Sequence, residues 1–544
     1  MIVTNSSRPD SVAGRLDVAD RTYPTNDPVS RACDLPEVQL LRVWRGSVAG
    51  RSPDIVMVPQ YPNYTGAFDL VNHSGPWDYL TTVPLVVYGS HVPATGAVDR
   101  PVDLVDVYPT VGELLHLDFE ARDGTPLTEA IEPGAPAPKL VVTVVWDGAG
   151  ANVLDRWRGR WPFLASLERD GVSYTDASTG SSPTITPATH STLGTGYYPR
   201  DHGVAGIYYR DENGAVTDAF HDGDPGLLRA STYGDDVDSA FGQGSKVGLV
   251  GWRTWHLGMI GHGAATPGAD HDQVALFRHE VVTDRDRSQF TTAPDYSLPG
   301  SLEDNTWSRL PEYAQRIDRA DGRVDDRWRT HPVLTPGFPD NPAWADDETD
   351  AVIQMLRGED YGRDATPDLF FVNFKMADTV GHHYLMDSPE MGDVIAAMDG
   401  GLRRIVGYLD DAVGDYALIL TADHGHTPPP EQTGAWPILI GQLAADVDKH
   451  FEVPEGQSLI DGNVGVGLFL DHDEMADLGV SATDVARFVN SYTVADNWTD
   501  ADLPAGYEER AREQVFAAAW PEAAMDEVMR CRFGALEPPA DLHG

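Results

Sequence analysis

The sequence predicts an α/β fold around a buried, mostly parallel sheet. Short apolar runs rich in β-branched residues alternate with longer amphipathic segments, and this alternation is typical of βαβ units. A chain of 544 residues can also bury a substantial core. We therefore expect one large unit, and its clearest strands are residues 140–146 (LVVTVVW), 246–251 (KVGLVG), 369–374 (LFFVNF) and 417–421 (ALILT).

Local signals predict the other elements. Ser388 and Pro389 indicate the start of a long helix, because the apolar residues that follow recur at helical spacing. Two further strands begin near residues 54 and 83, and a helix-like segment begins at residue 103. After residue 423 we expect a strand (GVGLFL) and a capped helix (SATDVARFV).

Charge and composition exclude several classes of protein. The chain has 39 Lys and Arg against 85 Asp and Glu, a net charge of −46, which argues against a nucleic-acid polymer platform or an anionic membrane surface as partner. The apolar runs are strand-length and the N-terminus lacks the order of a signal peptide. We therefore expect no membrane span and a cytoplasmic location. Two cysteines, Cys33 and Cys531, rule out a thiolate zinc cluster but leave a single bridge open.

Acidic and histidine side chains recur where three predicted strands end. Asp147 follows the first strand named above, Asp378 and His382 follow the third, and Asp423 with His424 follows the fourth. A lone acid in such a place is usually a cap or turn former. Three of them meeting at one edge of a parallel sheet would be costly to bury without cations. The pattern therefore predicts metal ligation.

Thr186 is the candidate nucleophile. It stands just before Pro187 and a stretch able to form a helix, so its hydroxyl would lie at a helix N-terminus, where developing negative charge is favoured. A threonine alkoxide needs help near neutral pH, and bound Zn²⁺ lowers the pKa of a coordinated oxygen. Alone, Thr186 would be an N-cap; beside the three strand ends we predict that it is catalytic.

These motifs together resemble the alkaline phosphatase superfamily, and most closely its type I phosphodiesterase and nucleotide pyrophosphatase branch. That pattern has Asp-Gly after a strand, then a Thr four residues before a His, then Thr-Gly-x-x-Pro-x-x-His-Gly, Asp-x-x-Gly-His and Asp-His-Gly, all of which occur here. The resemblance implies a three-layer sandwich, a metal-dependent hydrolase and two Zn²⁺ ions, although other divalent metals such as Mn²⁺ also fit. It implies one ion on Asp147, Thr186, Asp423 and His424, and another on Asp378, His382 and one more histidine.

That last histidine departs from the family order. It usually follows Asp-His-Gly and precedes a strand like VPLLFYG, but no such strand follows here. Residues 72–89 (NHSGPWDYLTTVPLVVYG) instead look like the family's C-terminal end moved to the front. We therefore expect a circular permutant in which His73 completes the second site, and His543 is the competing candidate.

The permutation leads to a predicted division of the chain. Residues 1–135 would correspond to the family's C-terminal core segment. Residues 139–430 would form the main metal-binding core, with a cap insertion at about 207–350. Residues 431–544 would form a smaller subdomain that returns toward the N-terminal segment.

A second departure concerns substrate contacts. The position of a family Asn is occupied by Ile207, so Tyr208 or Arg210 is the nearby candidate to replace it. Arg253 and Lys375 are further candidate phosphate contacts. Few basic residues and an aromatic-rich insertion favour phosphodiesters or nucleotide pyrophosphate bonds in a small-molecule substrate. Two alternatives stay open: a phosphomonoesterase, and a metal-binding but catalytically silent interaction protein.

Overall fold

A computed structural model of the protein describes residues 23–68, 70–262, 271–499, 502–539 and 542. The strands are β1 Ile55–Pro59, β2 Tyr64–Thr65, β3 Leu85–Gly89, β4 Gly96–Asp103, β5 Leu140–Trp146, β6 Val172–Ser178, β7 Tyr208–Arg210, β8 Val216–Asp218, β9 Val247–Gly251, β10 Gln273–Phe277, β11 Phe290–Thr291, β12 Arg327–Trp328, β13 His331–Pro332, β14 Asp368–Phe374, β15 Ala417–Thr421, β16 Pro437–Ile438, β17 Ile460–Asn463, β18 Gly467–Leu470 and β19 Phe516–Pro521. The α-helices are α1 Pro28–Cys33, α2 Glu37–Gly46, α3 Asp78–Thr81, α4 Val107–Leu115, α5 Ala151–Arg156, α6 Leu164–Asp170, α7 Thr186–Thr195, α8 Pro199–His202, α9 Tyr233–Phe241, α10 Leu310–Asp318, α11 Pro342–Gly358, α12 Met376–Tyr384, α13 Pro389–Ala412, α14 Pro430–Thr433, α15 Ile440–His450, α16 His472–Leu478, α17 Ala482–Ser491 and α18 Met525–Phe533.

The central sheet has nine strands in the order β11-β10-β9-β14-β5-β15-β3-β6-β4. Its middle strands β9, β14, β5 and β15 run parallel to one another. Strand β3 is antiparallel to both of its neighbours, and β11 is antiparallel at the edge. The predicted mostly parallel sheet is confirmed, with β3 as the main departure.

Side-chain alternation along the middle strands builds a core on each face of this sheet. In β5, Val142, Val144 and Trp146 pack on one face with residues of α11 and α13. Val141 and Val145 pack on the other face with residues of α4, α7 and α9. A strand covered on both faces is apolar at nearly every position, as LVVTVVW is. The predicted three-layer sandwich is confirmed.

A second sheet brings the two ends of the described chain together. Strand β1 lies between β18 and β19 and is antiparallel to both, in the order β17-β18-β1-β19. A disulfide joins Cys33 at the end of α1 to Cys531 in α18. Strands β18 and β19 and helix α18 thus contact the segment that carries α1 and β1. The predicted division of the chain into domains stays a prediction.

The structure refines one sequence expectation and agrees with another. The region 207–350 is not only a roof, because β9, β10 and β11 within it extend the central sheet. The long helix does begin at Pro389, since the Ser388 side chain accepts a hydrogen bond from the Met391 amide. Among the described residues, no helix is long and apolar enough to cross a membrane.

Candidate metal centre and active site

The three predicted acids meet at one edge of the central sheet. Strands β14, β5 and β15 are consecutive and parallel, so the segments that follow them leave the sheet side by side. Asp147 directly follows β5, Asp423 is the second residue after β15, and Asp378 lies in the first turn of α12. All three are at most 4% exposed, so their charges need cationic partners.

One group of ligand atoms surrounds Asp378. His73 Nε2 and His382 Nε2 each lie 3.3 Å from Asp378 Oδ1, and His424 Nε2 lies 3.7 Å from the same oxygen. His382 reaches it because it stands one helical turn after Asp378 on α12. Two atoms bound at about 2.0 Å to one tetrahedral zinc lie about 3.3 Å apart, so these spacings suit a shared ion.

A second group lies beside the first and shares His424. Its Nε2 is 3.6 Å from Asp147 Oδ1 and 3.4 Å from Asp423 Oδ2. The ligand atoms of Asp147, Asp423 and His424 all lie within 4.8 Å of one another, as do those of His73, Asp378 and His424. The structure therefore brings the predicted acids and histidines into two adjoining groups that could each hold a metal ion.

Backbone carbonyls orient the three histidines for metal binding. The Nδ1 atoms of His73, His382 and His424 lie 2.8, 2.7 and 3.0 Å from the carbonyl oxygens of Thr184, Val71 and Gly425. A carbonyl only accepts, so each Nδ1 carries a proton and donates it to the carbonyl, which turns Nε2 toward the acids. Burial lowers the pKa of His424 to about 3, which keeps that ring neutral.

The polar atoms left without partners fit a bound cation. Asp378 Oδ1, Asp423 Oδ2 and His424 Nε2 are buried and have no hydrogen-bond partner among the described residues. Buried polar atoms are normally satisfied, so unpaired ones that converge indicate an ion or ordered water. Carboxylate oxygens and imidazole nitrogens are also the donors that zinc prefers. The donor set thus fits the metals that the sequence implies.

Thr186 is the first residue of α7 and is 3% exposed. Pro187 at the second position suits a helix start, because its missing N–H is not needed there. The Lys375 ammonium lies 3.3 Å from Thr186 Oγ1 and also donates to Asp147 Oδ1 at 2.9 Å and Asp378 Oδ2 at 2.7 Å. The Lys375 ammonium therefore contacts the Thr186 hydroxyl and one carboxylate from each group of ligand atoms.

Two cations of the site differ in their partners. Burial alone lowers the Lys375 pKa, but the surrounding carboxylates outweigh it and hold the pKa above its usual value. Arg253 donates to His279 Nδ1 and to the Gly337 carbonyl. Within the described part of the chain it forms no ion pair with a carboxylate, and burial lowers its pKa. Arg253 therefore has positive charge to offer an anion.

A cavity of about 260 Å³ opens onto this centre. It is lined by Thr186, Lys375 and Arg253 and by the apolar residues Leu70, Ile207, Trp252, Trp255 and Phe338. Tyr208, the predicted neighbour of the site, lies on β7 at 41% exposure and is not among the residues that line this cavity. Arg210 forms an ion pair with Asp54 instead.

The sequence patterns missed two side chains that contact Asp147. Asn373 Nδ2 donates to Asp147 Oδ2 at 2.9 Å and contacts His190 Nε2 at 3.0 Å. His256 Nε2 lies 3.8 Å from Asp147 Oδ2, and its ligand atom groups with those of Asp147 and His190. Asn373 could have been found as the polar residue in LFFVNF, whereas His256 carries no such signal in its segment.

The sequence offers two candidates, His73 and His543, for the last histidine of the second metal site. His73 lies in the loop between β2 and α3, only 6% exposed, and reaches Asp378. His543 lies outside the described residues. The placement of His73 supports the predicted permutation, which stays a prediction.

Comparison with known proteins shows the family. The model of the type I phosphodiesterase / nucleotide pyrophosphatase family matches residues 141–512. The alkaline phosphatase PafA of Elizabethkingia meningoseptica is 23% identical over 409 residues, covering 65% of this chain and 73% of that protein. The alkaline phosphatase PhoD of Zymomonas mobilis is 25% identical over 319 residues, and the chain spans only about half of its length (54%).

A solved structure shows the same fold. The crystal structure of wild-type alkaline phosphatase PafA superposes with a TM-score of 0.50 at 20% identity, covering 71% of this chain and 85% of that one. With two thirds of the chain inside the family match and the acids and histidines gathered at one sheet edge, the chain belongs to the type I phosphodiesterase / nucleotide pyrophosphatase family and is a metal-dependent hydrolase of the alkaline phosphatase superfamily.

Proposed function

We propose that the protein hydrolyses phosphoric esters with Thr186 as its nucleophile and two zinc ions as its cofactors. Asp147, Thr186, Asp423 and His424 would hold one ion, and Asp378, His382 and His73 the other. The observation that carries the proposal is the position of Thr186: a hydroxyl on a helix N-terminus, bonded to the ammonium that also contacts Asp147 and Asp378. Manganese would suit the same ligands.

The protein's own groups each have a task in this reaction. The bound ions would lower the pKa of the attacking hydroxyl and neutralise phosphoryl charge. Thr186 Oγ1 attacks phosphorus, the bond to the ester oxygen breaks, and the leaving group departs as an alcohol or phosphate with the hydroxyl proton. Water then cleaves the Thr186 ester and restores the hydroxyl, which releases a phosphomonoester from a diester or inorganic phosphate from a monoester. The N-terminus of α7 favours the negative charge on that oxygen. Lys375 and Arg253 face the same cavity and can bind phosphoryl oxygens.

The cavity wall indicates an ester with an apolar or aromatic group. Leu70 and Phe338 are 50% and 44% exposed and line the cavity together with Ile207 and Trp255. Large apolar side chains left in water beside a reactive centre suit burial against a ligand. This supports the diester or nucleotide-like substrate that the sequence favours.

A phosphomonoesterase is the second candidate, and the two cations favour it. Lys375 and Arg253 both line the cavity, and a terminal monoester phosphate carries more negative charge than a diester. The absence of a carboxylate partner for Arg253 among the described residues points the same way. Comparing the turnover of a phosphodiester with that of a phosphomonoester decides between the two candidate substrates.

The test combines two substrates with a nucleophile variant. An aryl phosphate monoester and the matched aryl diester are supplied to the wild type, to Thr186→Ser and to Thr186→Ala, each with and without a chelator. We expect chelator-sensitive turnover by the wild type and a loss of about three orders of magnitude or more in Thr186→Ala. Thr186→Ser keeps a hydroxyl and should retain measurable turnover.

Four outcomes separate the hypotheses. A wild-type rate in Thr186→Ala would exclude Thr186 as the nucleophile. Faster diester turnover supports the first candidate, and faster monoester turnover the second. No chelator-sensitive turnover of either ester, with metal still bound, would favour the catalytically silent protein.

A further inference from the structure

His426 is a buried histidine that the proposed reaction leaves without a role. It lies two residues after His424, its side chain is 0% exposed, and neither ring nitrogen has a hydrogen-bond partner among the described residues. A neutral imidazole has one donor and one acceptor, so two unmet needs in the interior are costly. Such a group requires an explanation.

Hydrogen bonds to Asn152 fix the backbone of His426, and two glycines leave space for its ring. Asn152 Oδ1 accepts from the His426 amide at 3.3 Å, and Asn152 Nδ2 donates to the His426 carbonyl at 2.6 Å. A Cβ atom on Gly381 would lie 2.3 Å from the His426 ring, and one on Gly148 would lie 2.6 Å from its Nε2. The two glycines thus allow the ring to pack against the metal-binding backbone.

The ring points at the oxygen that the other histidines share. His426 Nε2 lies 3.7 Å from Asp378 Oδ1, the same distance as His424 Nε2. Its ring centroid is 5.5 Å from that of His73 and 5.7 Å from those of His382 and His424, and it is nearly perpendicular to all three. His426 therefore completes a cluster of four imidazoles around Asp378. We call His73, His382, His424 and His426 the imidazole cup.

A direct hydrogen bond does not account for this arrangement. A nitrogen 3.7 Å from an oxygen is beyond hydrogen-bonding distance, but it is within reach of an ion that both atoms bind. Asn152 fixes the His426 backbone, and Gly148 and Gly381 leave room for the ring. Without a ligand, this orientation would bury two unpaired ring nitrogens at a cost in free energy. The side chain has the position and the burial of a ligand.

We propose that His426 is an additional ligand of the ion held by Asp378, His382 and His73. The inference rests on the proposed metal site. The second ion would then have three imidazoles and a carboxylate, while the first has one imidazole, two carboxylates and the Thr186 oxygen. The second ion should consequently be the more tightly bound of the two, and its affinity should depend on His426.

Metal titration of the full chain tests the proposal. Metal-free wild type, His426→Ala and His426→Phe are titrated with Zn²⁺ in competition with a chromophoric chelator, and separately with Co²⁺ while visible absorption is recorded. We expect the affinity for one of the two Zn²⁺ ions to fall at least about tenfold in both variants. The Co²⁺ absorption of that site should change because a nitrogen donor is lost. His426→Phe keeps the ring volume and guards against a folding defect.

A buried histidine outside the imidazole cup provides the control. His202 is 0% exposed and contacts Thr192 Oγ1, so His202→Ala should bind both zinc equivalents as the wild type does. Wild-type affinity in a folded His426→Phe protein would overturn the proposal. Weaker binding with unchanged Co²⁺ absorption would also overturn it, since His426 would then only position the site. A wild type that binds no metal would refute the proposed function as well.

Discussion

At the scale of single residues, buried carboxylates are not confined to the metal centre. Asp347 on α11 is 0% exposed and accepts hydrogen bonds from Gln289 Nε2 at 2.9 Å and Ser308 Oγ at 2.7 Å. Burial raises its pKa from 3.8 to about 7. These neutral hydrogen bonds, together with those from the Arg309 and Leu310 backbone, do not offset the cost of a buried charge.

Asp347→Asn should change how stability depends on pH. Between about pH 4 and pH 7 the folded protein keeps a proton on Asp347 that the unfolded chain releases. The wild-type free energy of unfolding therefore falls as pH rises through this window, by about 1.4 kcal/mol per unit from this group. Asn does not titrate, so the variant should gain stability relative to the wild type as pH rises. Unfolding midpoints at several pH values measure the difference.

An exposed acid gives the comparison for that experiment. Asp477 on α16 is exposed, and Asp477→Asn should give a pH profile parallel to that of the wild type. If the Asp347→Asn profile were also parallel, the assignment of the raised pKa to Asp347 would be wrong.

At the scale of elements, helix α7 decides where the Thr186 hydroxyl lies. It packs closely on the 3₁₀ helix Thr254–Met259, and a Cβ atom on Gly194 would lie 2.1 Å from the Gly258 carbonyl oxygen and 3.0 Å from Met259 Cα. Because both obstacles are backbone atoms, they cannot move aside as a flexible side chain can. Close contact therefore holds the helix that carries the candidate nucleophile.

Gly194→Ala should loosen this contact. We expect a loss of about 1–3 kcal/mol from overpacking, seen as a lower melting temperature, with slower turnover because α7 shifts. Gly407→Ala on α13 is the matched control: no atom lies within 4 Å of a Cβ placed there. It should gain about 0.5–1 kcal/mol from the helix preference of Ala. Equal effects of the two substitutions would contradict the packing argument.

Local signals predicted many elements well. β5 and β15 have the predicted bounds, and β9 and β14 differ by one residue, because apolar, β-branched runs buried on both faces have few alternatives. The antiparallel direction of β3 was not predicted, since direction is set by the connections around a strand and not by its own residues. The approach of His256 to Asp147 depends likewise on how α7 and the segment 254–259 pack.

At the scale of the whole molecule, the N-terminal segment completes the catalytic sheet. Strand β3 pairs with β15, so the chain that carries His73 lies next to the chain that carries Asp423 and His424. The family match begins in β5 and leaves out residues 1–140, which contain His73. Both observations support a rotated order of the chain.

A rearranged chain tests this order. Gly544 is joined to Met1, and the new ends are placed in the predicted linker, at residues 137 and 136. If the order is rotated, we expect this protein to fold, to bind metal as the wild type does and to melt within a few degrees of it, since compact domains tolerate such changes at exposed linkers. New ends between β14 and α12 should instead abolish metal binding, because they separate Lys375 from Asp378. Failure of both would contradict the permuted order.

The disulfide fastens the two ends of the described chain. Cys33 and Cys531 are 498 residues apart in sequence, and Arg31 of α1 also donates to the carbonyls of Asn490 and Ala517. Disulfides are typical of oxidising compartments, and the cytoplasmic location expected from the sequence is not tested by this bond. The location stays a prediction.

By itself the sequence determined the class of fold, the strand ends that carry Asp147, Asp378 and Asp423, and Thr186 as candidate nucleophile. Each depends on short patterns: apolar runs, a polar residue where a run stops, and a proline after the threonine. The motif of residues 72–89 also pointed to His73 as a ligand of the second site. Only the tertiary structure decided that His426 joins the imidazoles around Asp378, that His256 approaches Asp147, and which side chains form the cavity wall. These contacts depend on strand order and helix packing, which the local patterns around these residues do not encode.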